Sequence, residues 1–365
     1  MKTVGIHVEV NKRVAHLITF VTCLVTVAFL VTTCAFALET QGKRKPEFKI
    51  TCLEVADTGR GVGLAIVLQT PEGHTYLYDT GVGYPSKEDP TGWVAGINTG
   101  RDQIVPYLTA NGIKEIDGVV ISHAHLDHWG GLLWLADHFP VKKLYDSGYD
   151  FPGKLTPDWQ AELGGYTALR DRFKQRGAYQ QVHAGDKLPW DSQLDVEILA
   201  PPRDHFFSEA HPEQRSIEDP PSHYLVNANS VEMRIRYGKV VFLFPGDIQK
   251  DDIEHGLLTS VPHDKLKADV LISPAHGINA NQSSAFAKVV HPQIVIASLF
   301  PRWLKNKAAP EIYENNGAKV YFTGERGWIK VISDGTRFTV YTERSGEAHG
   351  VSIPGVPELY TASVK

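Results

Sequence analysis

The segment Ser122-His123-Ala124-His125-Leu126-Asp127-His128-Trp129-Gly130-Gly131 constrains this chain more than any other, because it directly follows the apolar run Gly118-Val119-Val120-Ile121. Such a run reads as a buried strand, so the cluster begins where the strand exits. Three imidazoles and one carboxylate fall within six positions. His123 and His125 are two apart on an extended exit, which puts both rings on one side. Asp127 and His128 open the next turn and point to a neighbouring position. Imidazole and carboxylate are suitable ligands for zinc and similar borderline metals. One ion can take the first pair and a second ion the other; two ions ~3.5–4 Å apart can share a water and generate hydroxide near neutral pH. Gly130 and Gly131 let backbone and helix pack close to this loop. A chance row of surface histidines would not follow a buried strand in this order.

The rest of the chain reads as strands with helices between them. Alternation over Phe48–Val55, then Leu64–Leu68 and Thr75–Tyr78, separated by glycine turns, predicts short antiparallel strands. Helical spacing appears at Ile104, Tyr107 and Leu108, over Gly131–Ala136 and near Ser284–Val290. Further strands are expected at Lys143–Tyr145, Val231–Tyr237, Val240–Phe244, Ala268–Ile272 and Gln293–Ala297, and a closing edge hairpin from Ala318–Phe322 and Trp328–Ile332. Residues 150–222 mix helical spacing over 159–175 with a proline- and charge-rich loop at 201–222, and read as an insertion or lid beside the site. Two sheets covered by helices follow, an α/β four-layer αββα sandwich over residues 47–345, with a tail at 346–365. The Gly59–Gly63 turn lacks the Lys-Ser/Thr ending and strand-to-helix setting of a phosphate loop.

The N-terminus differs. Lys12 and Arg13 precede the apolar run Leu17–Leu38, which ends in Ala35-Phe36-Ala37. Basic flank, apolar run and small-residue exit read as a signal peptide over residues 1–37. The run also approaches the ~20 residues that span a bilayer, so an uncleaved anchor that tethers the body to a membrane is the competing reading. Either way the body is exported, periplasmic or extracellular, behind a linker at 38–46. Cys23 and Cys34 lie in the apolar run, and a chain cut after Ala37 keeps only Cys52, which makes no internal disulfide. The formal net charge is −5; the first 37 residues carry +2 of it, so the cut chain carries −7. That balance does not support gripping nucleic acid through many phosphates.

His-x-His-x-Asp-His resembles the signature of the metallo-β-lactamase superfamily. Over roughly residues 48–335 the resemblance extends to Tyr78-Asp79-Thr80-Gly81, Ala184-Gly185-Asp186, Asn229-Ser230 and Phe244-Pro245-Gly246-Asp247. These are similar to the hydrolase-like domain of the bacterial DNA-uptake competence channel and to its free-standing secreted relatives. The resemblance implies that Asp247 bridges two metals and that Asp79 lies beneath the site and orients the histidine loop. It implies an active-site role for His276, as ligand or as proton donor to the leaving group, although Ala275 stands where that branch has another histidine. His223, at an unusual offset, is the one histidine available for a further ligand, with Asn227 or Asn229 as substitutes. The late histidine of some members is missing from the loop Phe300–Lys307, where Arg302 and Lys305 stand near the expected cleft. The implied activity is hydrolysis by metal-activated hydroxide, with Asp127 and His276 as catalytic residues. Two Zn2+ per chain are expected, with Mn2+ or Fe served by the same ligands. The expected partner is a small molecule or phosphodiester. A lactone, ester or amide hydrolase of the same fold and a weakly catalytic metal-binding protein remain as alternatives.

Overall fold

Fifteen strands form among the described residues of the computed structural model, which are 46–55, 62–83, 96–211, 214, 222–307 and 309–352. The signal or anchor segment, nearly all of the linker, Gly59–Gly61, residues 84–95, most of 212–221 and the end of the tail lie outside them. The chain divides into Met1–Pro46 and Glu47–Lys365, and all fifteen strands belong to the second unit.

In chain order the strands are β1 (Phe48–Cys52), β2 (Ala65–Gln69), β3 (Thr75–Thr80), β4 (Gly118–Val120), β5 (Leu144–Asp146), β6 (Tyr179–Gln181) and β7 (Leu194–Ala200). They continue as β8 (Glu232–Tyr237), β9 (Val240–Phe244), β10 (Val270–Ile272), β11 (Ile294–Ala297), β12 (Lys319–Phe322), β13 (Ile329–Ser333), β14 (Arg337–Thr342) and β15 (Ala348–Ser352). One sheet has the order β15-β14-β13-β1-β2-β3-β4-β5-β6 and the other β12-β11-β10-β9-β8-β7. The alternation of β1 puts Phe48, Ile50 and Cys52 on the face that meets the second sheet, where Phe48 packs edge-on against Phe242. Val67, Leu77 and Ile121 face outward and bury Trp129 and Leu132 of the helix Leu126–His138 and Leu169 of the helix Pro157–Gln175. On the far side, Leu243, Leu271 and Val295 bury Phe286 of the helix Ser284–Val290. Each large apolar side chain removed from water contributes about 1.5–3 kcal/mol, and three such apolar layers hold the four-layer α/β sandwich.

Several expectations change. β12 and β13 are not a hairpin: β12 pairs parallel with β11, whereas β13 pairs with β1 in the other sheet. The turn helix Thr323–Arg326 between them carries the chain across the sandwich. Residues 150–222 are not an insertion throughout, because β6 and β7 each edge a sheet and the helix Pro157–Gln175 covers one. The helix expected from Gly131 begins at Leu126. β15 extends the large sheet beyond residue 345, so the tail starts later than its sequence suggests.

Strands β3 to β6 run parallel to one another, and so do β9 to β12. Clefts form outside the carboxyl ends of parallel strands. Asp79, the histidine segment, Asp247 and His276 all lie at or just beyond such ends, on β3, β4, β9 and β10.

Candidate metal centre

Asp79 organises the histidine loop from below. It is fully buried in a left-handed conformation (φ 56°), which an aspartate tolerates better than most residues. Its Oδ1 accepts the Ser122 backbone N–H at 2.7 Å, and its Oδ2 accepts Ser122 Oγ at 2.7 Å and His128 Nδ1 at 2.7 Å. A carboxylate only accepts, so both partners donate, and His128 Nε2 is left to face the centre. Ser122 Oγ, having spent its proton on Asp79, accepts from His123 Nδ1 at 3.0 Å. That bond leaves His123 Nε2 with its lone pair, 3.1 Å from His125 Nδ1. Two nitrogens on one tetrahedral zinc, each at about 2.0–2.1 Å, stand roughly 3.3 Å apart.

The helix Leu126–His138 starts with Asp127 and His128 in its first turn. His125, at its N-cap, makes no capping bond with its side chain. Glu162 from the helix Pro157–Gln175 does so instead, accepting Leu126 N–H at 2.7 Å. From the second sheet, the left-handed Gly246 (φ 66°) turns Asp247 inward, and Asp247 N–H is held by Ser230 Oγ at 3.2 Å. Ala275 (φ 44°) and His276 (φ 59°) are also left-handed, a strain of about 1–3 kcal/mol each. Asp247 Oδ2 then lies 3.4 Å from His128 Nε2 and 3.1 Å from His276 Nε2. Asp127 lies 3.9 Å from His128 Nε2 and 3.8 Å from His276 Nε2.

Two triplets converge, His123-His128-Asp247 and Asp127-His128-His276, each with its ligand atoms within 4.8 Å of one another. His125 joins the first through His123. Burial, and after it the charge of His128, holds the His125 imidazole down to about 3, and His123 well below its usual value. Both are therefore neutral, with lone pairs to give. Burial opposes charge on His128, but the carboxylates of Asp247, Asp79 and Asp127 outweigh it and hold the imidazole well above its usual value. Burial likewise opposes charge on Asp247, and His276 and His128 outweigh it. Burial raises Asp127. His125 Nε2, His128 Nε2 and both His276 nitrogens are buried without a hydrogen-bond partner. Leaving a buried polar atom unpaired costs about 1–3 kcal/mol; four in one cluster, among carboxylates, fit a cation.

His223 stands apart. Its ring stacks on Trp159 at 3.8 Å and lies 5.7 Å from the His125 ring, outside both triplets. Of the two candidate substitutes, Asn229 is committed to the backbone of Phe207 and Leu225. Asn227 lines the cleft with a buried, unpartnered Oδ1. The segment expected as a loop with Arg302 and Lys305 near the cleft forms the helix Pro301–Lys307, and Trp303 is its cleft-lining residue, with Arg302 laid over that ring. The cleft, about 450 Å3, also has Trp159, Tyr224 and Glu162 in its walls. No motif marks these three; Trp159 and Glu162 share one helical face by their i, i+3 spacing, a pattern that reads equally as core.

Asp79→Asn is expected to weaken metal binding about 10–100-fold, because a ligand's outer partner sets its tautomer and aim. Chelator competition measures this, and an affinity equal to wild type would contradict the role given to Asp79.

Residues 58–298 match the metallo-beta-lactamase superfamily, and the chain belongs to it. ComE operon protein 3 of Bacillus subtilis (strain 168) is 25% identical over 253 residues, covering 67% of this chain and 28% of that protein. Competence protein ComA of Neisseria gonorrhoeae is 27% identical over 238 residues, 65% of this chain and 26% of that protein. The chain thus spans about a quarter of the length of these relatives. Among solved structures, Igni18, a metallo hydrolase from the archaeon Ignicoccus hospitalis, matches 78% of this chain and 98% of its own at 15% identity, with a TM-score of 0.38.

Proposed function

We propose that the chain is an exported hydrolase whose centre binds two metal ions, Zn2+ first, and cleaves a small phosphodiester. The observation that carries this reading is the convergence of two ligand triplets on His128, with the unpartnered buried Nε2 atoms of His128 and His276 beside Asp247. His123, His125 and Asp247, with Asn227 Oδ1 at their side, would hold one ion. Asp127, His128, His276 and Asp247 would hold the other. His276 is written as a ligand through Nε2, in preference to a proton donor, because that atom meets Asp247 and Asp127. A divalent ion supplies Lewis acidity, which lowers the pKa of water toward neutrality and polarises the scissile group. Asp127, facing the cleft, accepts the hydrogen bond that orients the attacking water. Asp79 keeps His128 in one tautomer, and Glu162 fixes the backbone between His125 and Asp127.

The substrate class follows from charge and shape. The carboxylates Asp79, Asp127, Glu162 and Asp247 offset most of the charge of two dications. A near-neutral cleft suits one phosphodiester better than an extended polyanion, which needs a basic track. Trp159, Tyr224 and Trp303 offer planar walls for a ring attached to the phosphate. The resemblance to the competence branch points the same way.

A phosphodiester reporter such as bis(4-nitrophenyl) phosphate is expected to be cleaved, with turnover lost on chelation and regained with Zn2+ or Mn2+. Turnover of lactones, esters or amides with none of the reporter would sink the phosphodiester reading. That outcome is favoured by one observation: no Lys or Arg lines the cleft among the described residues. Metal binding without turnover of either class would make the chain a binding protein.

Export rests on the N-terminal sequence. No helix among the described residues is long and apolar enough to cross a membrane. N-terminal sequencing of the mature protein is expected to read from Leu38; an intact Met1 in membranes would favour the anchor.

A further inference from the structure

A second cavity, about 560 Å3, lies back to back with the catalytic cleft. Residues adjacent in the chain divide between the two linings. Ala124 lines this cavity and His125 the cleft; Gln160 and Trp159 divide in the same way, as do Leu163 and Glu162, and Val226 and Asn227. The cavity shares none of its lining with the cleft, and its volume falls within the range of small-molecule sites, roughly 300–1,000 Å3. Tyr149, Phe151, Leu155, Leu163 and Val226 make its walls largely apolar.

Its charges are asymmetric. Asp150 pairs with Arg170 at 2.5 Å, which also reaches Asp146 at 3.5 Å, and accepts Thr167 Oγ1 at 3.1 Å. Lys154 is exposed and makes no ion pair among the described residues. Gln160 adds an amide. The cavity therefore presents apolar walls with one cation, Lys154, that no ion pair holds among the described residues.

A glycine points to the same place. Gly164 lines the cavity from the middle of the helix Pro157–Gln175. Glycine destabilises a helix interior relative to alanine. Gly130 and Gly131 beside the histidine loop are forced by contact, but a Cβ on Gly164 would meet nothing within 4 Å. The fold's own atoms do not require the glycine, which is exposed at the cavity and leaves it open there.

We propose that this cavity binds a small amphipathic acid, an aryl or acyl group placed on the apolar walls with its anion at Lys154 and Gln160. It is a site separate from the catalytic cleft, and it stands whatever the cleft turns over. An occupant would rest on Ala124, between His123 and His125.

The test is titration of the full chain with anilinonaphthalene sulfonate, an aryl anion that brightens in apolar surroundings. Wild type is expected to bind one probe per chain saturably. Gly164→Phe, which fills the cavity, should weaken binding about tenfold or more, and Lys154→Met several-fold. Gly164→Ala should melt no lower, which controls for helix integrity, and should bind more weakly than wild type but more tightly than Gly164→Phe. Trp303→Ala, in the cleft, should leave the probe's affinity unchanged. Equal binding by wild type and Gly164→Phe would overturn the proposal, as would loss of binding in Trp303→Ala alone.

Discussion

Asp247→Ala is expected to lower hydrolysis by on the order of 10³-fold, as removal of a member of a catalytic unit does, and to release metal while the fold is kept. Asp247 is the one carboxylate within 3.4 Å of both His128 and His276, and it also completes the triplet with His123. Its loss therefore reaches His123, His128 and His276 together, whereas Asp127 lies farther from the two imidazoles it faces, 3.9 Å from His128 and 3.8 Å from His276. Measured together, turnover and metal content should fall in step. Turnover near wild type with metal retained would show that the ligands lie elsewhere.

The second large effect concerns stability. Gly131→Ala is expected to cost about 3 kcal/mol or more, at the upper end of overpacking in a close-packed interior. A Cβ at Gly131 would fall on the carbonyl oxygen of Thr80 and within 2.9 Å of Gly100 N. These are backbone atoms at the end of β3 and at the start of the helical turn Gly100–Ile104, and neither can swing away. The contact is already drawn tight by Thr80 Oγ1, which donates to His128 O at 3.0 Å and accepts Leu132 N–H at 3.0 Å. Urea denaturation should show a lower midpoint at unchanged slope. A midpoint equal to wild type would mean that the helix is not seated on these backbone atoms.

The parts of this architecture that were legible in the sequence are those whose signal is local. Phe48, Ile50 and Cys52 alternate, so β1 could be read directly. The helix Ser284–Val290 was readable because Ser283 caps it, accepting Phe286 N–H at 3.1 Å. β6, with the sequence Tyr-Gln-Gln, has no apolar pattern and exists because it pairs with β5. β7 alternates, yet its role as the edge of the second sheet depends on Glu232–Tyr237, more than thirty residues on. The partners of β12 and β13 lie in different sheets, which adjacency in the chain conceals.

The site divides along the same line. His123, His125, Asp127 and His128 lie close in sequence, and one strand exit aims them. Asp247 and His276 were found through resemblance, because nothing local ties them to the histidine loop. Glu162 and Trp159 reach the cleft from one helix and Trp303 from another, and only the packing of Pro157–Gln175 on Leu126–His138 brings the first two there. His223 stands between these cases: its residue type suits a ligand and its Nε2 is buried without a partner, but its ring stacks on Trp159 and lies outside both triplets.

Elemental analysis of the purified chain by plasma mass spectrometry bears most directly on the two-metal centre. The arrangement of His123, His125, Asp127, His128, Asp247 and His276 predicts two ions per chain. One ion per chain, or none after incubation with Zn2+ or Mn2+, would contradict it.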